Sequence, residues 1–216
     1  MKKIEGEGLG AALTEFAKVA RRIEEDFKKT LTPFQRNAFI ELEKINESLR
    51  GETERGCVVI GAAFLDEKLK DLLNKVTAGS NKVKESLFDA TGPLGTFSQK
   101  IRVAYCFGLI SDEAYHDLNV IRDIRNKFAH LSESLSLRDP KWANKFSSLK
   151  LPGLVDFSPM PRLAFTSSIG AVAGELNEAL EKLKPFTPPT STFRELVEEI
   201  REKQEKKRRK VRQSSD

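Results

Sequence analysis

The sequence predicts an all-α protein: a helical bundle of about five core helices with extra helices at both ends. Three observations carry this. Apolar residues recur at spacings of three and four along most of the chain. Residues that cap or stop helices fall where those stripes begin and end. No convincing strand pattern competes with them, and no internal repeat is visible. At 216 residues the chain is long enough for one domain with a sizeable core plus appendages.

The elements follow in order. Residues 1–10 are rich in glycine and charge and are expected to be loose. From residue 11, Leu13, Phe16, Ala17, Val19, Ala20, Ile23 and Phe27 form the stripe of a first amphipathic helix. Thr32 then caps, and Pro33 opens, a second helix to about Leu49 with Phe34, Ala38, Phe39, Leu42 and Ile45 on its apolar face. Gly51 breaks it, and Thr53 offers a cap for a third helix to about Val76. The first half of that helix is apolar almost all round, which assigns it to the centre of the bundle. Its small residues Gly56, Gly61, Ala62 and Ala63 allow close approach of neighbours. Residues 83–88 give a short helix. Thr91-Gly92-Pro93-Leu94-Gly95 is turn chemistry.

A fourth main helix follows from about Thr96 to Phe107, carrying Phe97, Ile101, Ala104 and Tyr105, with Gly108 as its stop. Ser111-Asp112-Glu113 opens the next, with an N-cap and acids that suit the helix dipole. Residues 131–162 form a long irregular stretch. Its apolar content (Trp142, Phe146, Leu149, Leu151, Leu154, Phe157) predicts a packed cover with a short helix near 141–149. Residues 163–183 are a further helix, ended by Pro185 and by Pro188-Pro189. The last helix, 192 to about 212, has few apolar positions (Phe193, Leu196, Val197, Ile200), and its charged second half is expected to fray. The domain reading is therefore a flexible N-terminus at 1–10, a single helical domain at 11–184, and a proline-rich hinge with a basic C-terminal helix or tail at 185–216.

Composition excludes several classes. The hydrophobic fraction is 39% and the charged fraction 32%, as in a soluble protein with a modest core. The longest nearly uncharged apolar run, residues 57–65, is far too short to span a membrane, and the N-terminus lacks the apolar stretch of a signal peptide. A cytoplasmic protein is expected. Cys57 and Cys106 sit in apolar helical patterns and read as small buried hydrophobes. Two His and two Cys without paired spacing make no metal site, and no cofactor is indicated. The formal charge is +5, but residues 203–212 contribute a net +6 and leave the rest near neutral at −1. Lys206, Lys207, Arg208, Arg209, Lys210 and Arg212 are therefore candidates for nucleic-acid binding through phosphate charge. No aromatic residue interleaves with them to stack on bases.

The stretch with chemical potential is Arg125-Asn126-Lys127-Phe128-Ala129-His130. Arginine clamps a phosphate with parallel hydrogen bonds and stays charged. Histidine near neutral pKa moves a proton to or from a ribose hydroxyl or a leaving oxygen. Together with Asn126 they could support metal-free RNA cleavage. Ala114, Leu118, Ile121, Arg125 and Phe128 trace a heptad-like seam, which places Arg125 on or beside the buried side, while Asn119, Asp123, Asn126 and His130 line a polar face and Arg122 bridges the two. Positions 125 and 130 lie about 140° apart on an ideal helix, so a shared site needs a bent helix end or a second protomer. The alternative is structural: Arg125 pairs with an acid and His130 caps the C-terminus.

The R-N-x-x-x-H pattern of Arg125, Asn126 and His130 resembles the signature of HEPN domains, the helical "higher eukaryotes and prokaryotes nucleotide-binding" superfamily. That resemblance implies either a metal-independent endoribonuclease built across a dimer or an RNA-binding protein, of toxin or defence type. A longer likeness covers roughly residues 55–130. Gly92-Pro93-Leu94-Gly95, then Lys100-Ile101-Arg102-Val103-Ala104-Tyr105, then Gly108-Leu109-Ile110, then a helix ending in Arg125 and His130, resembles the mannitol operon repressor family. It implies an all-helical, non-enzymatic regulator of a sugar-alcohol uptake operon that acts through partners. This chain departs from that family in its long N-terminal helices and basic C-terminal tail. The regulator reading stands first and the ribonuclease second. The expected partners are a second copy of the chain, a regulator or antitoxin protein, and RNA or DNA at the basic tail, with no membrane.

Overall fold

The computed structural model describes residues 14–15, 18–19, 21–22, 25–26, 28–129, 135–151, 160–186 and 192–213. Among them every regular element is helical, as expected. The described positions at 14–30 are helical. They precede α1 (Pro33–Gly51), α2 (Glu54–Lys75), α3 (Asn81–Phe88), α4 (Phe97–Cys106), α5 (Asp112–Ala129), a 3-10 turn (Pro140–Trp142), α6 (Ala143–Ser147), α7 (Pro161–Lys182) and α8 (Thr192–Gln213).

Local chemistry sets the helix starts. Thr32 and Gln35 form a reciprocal capping box at α1, with Pro33 in the first turn. Thr53 accepts the Gly56 N–H at α2, and Thr96 with Gln99 repeats the capping box at α4. Gly51 is the last residue of α1 rather than its breaker, and the chain turns extended at Glu52. At the end of α4, Gly108 adopts φ 65°, the left-handed conformation in which a side chain is strained.

Helix α2 is the axis of the bundle. It packs against α7, α5, α4 and α1, and α1, α4 and α5 close around it with further α1–α7, α4–α5 and α5–α7 contacts. Leu65, Leu69, Leu72 and Leu73 of α2 are fully buried, each contributing about 1.5–3 kcal/mol. The burial of α2 is not all round: Ala63 faces solvent. Gly61 lets α7 approach, since a Cβ there would stand 3.2 Å from Phe165 and from Ile169. Two lysines enter this core paired. Lys68 Nζ bonds the Glu41 carboxylate and Asn177 Oδ1 (3.0 Å), and Lys100 Nζ bonds Asp66 (2.7 Å). An unpaired charge at either place would be strongly destabilising. By contrast α1 is peripheral, with Leu49 its only buried residue and Phe34 38% exposed.

The Gly92–Gly95 turn works by close approach. A Cβ at Gly92 would lie 2.4 Å from the Ser86 carbonyl, and one at Gly95 would lie 2.3 Å from that of Asp89. The chain thereby folds over the end of α3, Leu94 N–H donates to Leu87 O (2.8 Å), and Leu94 is buried.

Three expectations are corrected. Cys57 is buried, but Cys106, on the last residue of α4, is exposed. Tyr105 also turns outward, stacking on Tyr115 at 4.2 Å and donating to Asp112. The apolar stripe of α4 is thus narrower than its composition suggests, with Ile101 and Ala104 inward. Third, Val19, expected on the apolar stripe of the first helix, is 55% exposed. Helix α8 runs to Gln213. It holds Phe193, Leu196 and Ile200 at 74%, 52% and 47% exposure. The loose N-terminus expected at 1–10, the hinge prolines Pro188 and Pro189, and Leu154 and Phe157 lie outside the described residues.

Candidate functional site

Helix α5 carries the predicted site, so its anchoring comes first. Ser111 caps it by accepting the Ala114 N–H (3.1 Å), while its own N–H and hydroxyl donate to Glu175 of α7 (2.7 and 2.9 Å). The buried stripe is Ala114, Asp117, Leu118, Val120, Ile121, Ile124 and Phe128.

Along its length α5 is joined to the segment that the sequence marked as a cover. Asp117, fully buried, accepts the N–H groups of Lys150 (2.9 Å) and Leu151 (3.0 Å). Asp123 accepts from Lys145 Nζ (3.2 Å). Phe128, fully buried, packs its ring against Trp142 at 5.7 Å between centroids. The pairs 117 with 150, 123 with 145 and 128 with 142 run antiparallel, so residues 142–151 lie along α5 in a fixed register. The cover is packed as expected: Leu137, Trp142 and Phe146 are buried.

The placement of Arg125 corrects the sequence reading. It is exposed, not on the buried seam. Two heptad registers fit this helix, 114-118-121-125-128 and 114-117-121-124-128. The structure adopts the second in the later turns, because Asp117 is held inward by the loop amides and Ile124 and Phe128 turn toward the cover. The guanidinium of Arg125 is left outside, where its Nη1 donates to Asn126 Oδ1 at 3.2 Å. Asn126 is exposed as well. His130 lies outside the described residues, as do the side chains of Lys206, Lys207, Arg208, Arg209, Lys210 and Arg212, whose backbone is helical.

What the structure adds is a group of cations beside Arg125. Arg122, three residues earlier on α5, donates from Nη1 to the Ser98 hydroxyl of α4 at 3.1 Å. Arg102 donates to the same oxygen, also at 3.1 Å. Arg122 Nη2 reaches Asp123 at 2.9 Å. Two guanidinium groups on one neutral oxygen repel each other by about 3 kcal/mol at ~6 Å separation and an effective dielectric near 20, less where Arg102 meets water. The sequence held Arg102 and Arg122 in view as parts of helical patterns. Ser98, and the convergence of side chains 24 residues apart, depend on how α4 packs on α5.

Among the described residues, Asp123 is the carboxylate bonded into this group. Burial works to raise its pKa. The hydrogen bonds and charges of Arg122 and Lys145 outweigh that and hold it below the ordinary value of 3.8. A lowered folded-state value stabilises the fold fully above the unfolded pKa, and the contribution is lost as pH falls through the folded value. Thermal melts of the protein and of Asp123→Asn should therefore differ at about pH 6 and converge on acidification toward about pH 2. A difference that persists unchanged at the acid end would count against the assignment.

A separate cleft lies elsewhere on the described residues. It measures about 880 Å³ between the end of α1 and the start of α7, with Arg50, Glu54, Arg138 and Arg162 on its walls. Arg162 is used structurally, donating to the carbonyls of Leu49 (2.5 Å) and Glu52 (2.7 Å). None of Arg102, Arg122 or Arg125 lines that cleft. Among the described residues no group of three or more His, Cys, Asp or Glu is placed to hold a metal ion. No helix of the described residues is long and apolar enough to cross a membrane.

Fold and site together define, among the described residues, an all-helical bundle that presents Arg125 and Asn126 on an exposed helix face. The family model described as "Mannitol repressor" matches residues 41–167. The chain belongs to the mannitol repressor family. The mannitol operon repressors of Escherichia coli strains K12 and O6:H1 are each 27% identical over 126 residues. That match covers 55% of this chain and 63% of theirs, so the chain spans less than two thirds of the length of these curated relatives. Among solved structures, a possible transcriptional regulator, YggD from Shigella flexneri 2a, shares the fold. Its TM-score is 0.51 at 16% identity, with 68% of this chain and 98% of that one covered. The MtlR–HPr complex from Escherichia coli aligns with a TM-score of 0.47 at 20% identity, over 70% and 98% of the two chains.

Proposed function

We propose that this protein is a regulator of a sugar-alcohol uptake operon, a repressor that acts through a protein partner and not an enzyme. The observation that carries the reading is the family match over residues 41–167, which runs from the middle of α1 into the first turns of α7. The geometry is consistent with it. Arg125 and Asn126 sit on an open helix face and bond to each other. An exposed aromatic corner at Tyr105 and Phe107 (38% and 64% exposed) offers the kind of amphipathic contact enriched at protein interfaces. A homodimer and a cytoplasmic location belong to the same proposal.

Deleting the gene in its host should raise transcription of the sugar-alcohol uptake operon in the absence of the sugar alcohol, and the wild-type chain supplied in trans should restore repression. Unchanged transcription would sink the repressor reading. Single-stranded RNA incubated with the purified chain in EDTA is expected to stay intact. Cleavage that disappears in both Arg125→Ala and His130→Ala would replace the regulator with the ribonuclease. The basic run of α8, with Lys206 to Lys210 and Arg212, is proposed to hold nucleic acid by charge alone. Binding should then weaken steeply with salt and vanish on truncation before Lys203.

A further inference from the structure

Ser98 stands one helical turn before Arg102 on α4 and is half-buried beneath α5. Its hydroxyl oxygen accepts from Arg102 Nη2 and from Arg122 Nη1, both at 3.1 Å. Both acceptor positions of that oxygen are thereby filled by cations. Two guanidinium nitrogens at equal distance from one atom lie no further apart than twice that distance, and they come from different helices. Lys145 joins through Asp123, which it shares with Arg122. Among the described residues the group thus holds Arg102, Arg122 and Lys145 against a single carboxylate, and Arg125 adds a further exposed cation on α5.

An arrangement of this kind is costly when occupied only by a neutral hydroxyl, and it becomes favourable when a multivalent oxyanion enters. A carboxylate has two oxygens in one plane and suits a single arginine fork. A phosphoryl group has three terminal oxygens in a tetrahedron and a charge near −2, which suits two forks arriving from different directions. We infer that Ser98, Arg102 and Arg122 form a clamp for a phosphoryl group. Its oxygens take the N–H donors that the Ser98 hydroxyl now shares. The Ser98 hydroxyl proton, which has no acceptor among the described residues, donates to the third oxygen. The clamp does not depend on the repressor reading, since neither the operon nor the partner enters its geometry.

The test is calorimetric titration of the full chain with inorganic phosphate and with glycerol 1-phosphate, using glycerol as the uncharged control. Saturable one-site binding is expected for the phosphates and none for glycerol. Arg102→Gln and Arg122→Gln should each weaken it at least about ten-fold, the loss of one charged hydrogen-bonding partner. The backbone amides around Ser98 should shift in heteronuclear NMR spectra on titration. Tighter binding of the ester than of the free ion identifies a phosphorylated ligand, equal binding identifies the ion itself, and either ranking supports the clamp. Absence of saturable binding, or undiminished affinity in Arg102→Gln, overturns it. Arg102 is exposed, so its variant carries the test even if Arg122→Gln, which strips Asp123 of a partner, fails to fold.

Discussion

Replacing Phe128 by alanine is expected to cost about 3–5 kcal/mol, the range for emptying a fully buried aromatic site. Phe128 has no solvent exposure and lies within the six residues that carry Arg125, Asn126 and His130. Its ring meets Trp142 across the contact that holds the 3-10 turn to α5. The chain has one tryptophan, so the same substitution has a direct optical readout. Trp142 is 4% exposed, and its emission should move to longer wavelength as the ring loses its neighbour. A urea midpoint and an emission maximum both equal to those of the wild type would refute the assignment. The effect on any function of Arg125 would then be indirect, through the seating of the last helical turn.

Asp117→Ala is the second large effect, expected at about 2–4 kcal/mol. The carboxylate is fully buried and accepts from two consecutive backbone N–H groups, those of Lys150 and Leu151. Alanine leaves both donors without that partner and opens a polar void under the loop. Asp117→Asn keeps one acceptor oxygen but turns an N–H2 group toward the amides, so it should fall between alanine and wild type. Thermal unfolding orders the three proteins, and limited proteolysis reports whether residues 142–151 become cleavable first. Equal melting temperatures for all three would show that the carboxylate anchors nothing.

The parts of this fold that could be read in the sequence are those determined within a few residues. The caps at Thr32, Thr53 and Ser111 and the stop at Gly108 are local chemistry, and they appear where expected. The central position of α2 followed from its breadth of apolar residues. The apolar content of residues 131–162 predicted a packed cover, and the described part of it, 135–151, is packed.

What escaped depends on residues distant in the chain. An acid at position 117 looks like part of a solvated helix face until the amides 33 residues later are seen to close on it. That same contact selects between two equally good heptad registers, and so decides that Arg125 faces water. The glycines of the 92–95 turn were legible as a turn, but the carbonyls of Ser86 and Asp89 that exclude a side chain there were not. The Ser98 oxygen, shared by arginines of two helices, has no sequence signature of its own.

The antiparallel register between α5 and residues 142–151 has a consequence for motion. Three fastenings of different kinds, a carboxylate on amides, an ion pair and an aromatic contact, act along one line. Such a segment does not open as a loop with its own low barrier, since releasing any stretch of it exposes part of the core helix as well. Helix and cover therefore form one unit of cooperativity. The backbone amides of Lys150 and Leu151 are therefore expected to exchange with the slow kinetics of the bundle core, although they lie near the surface.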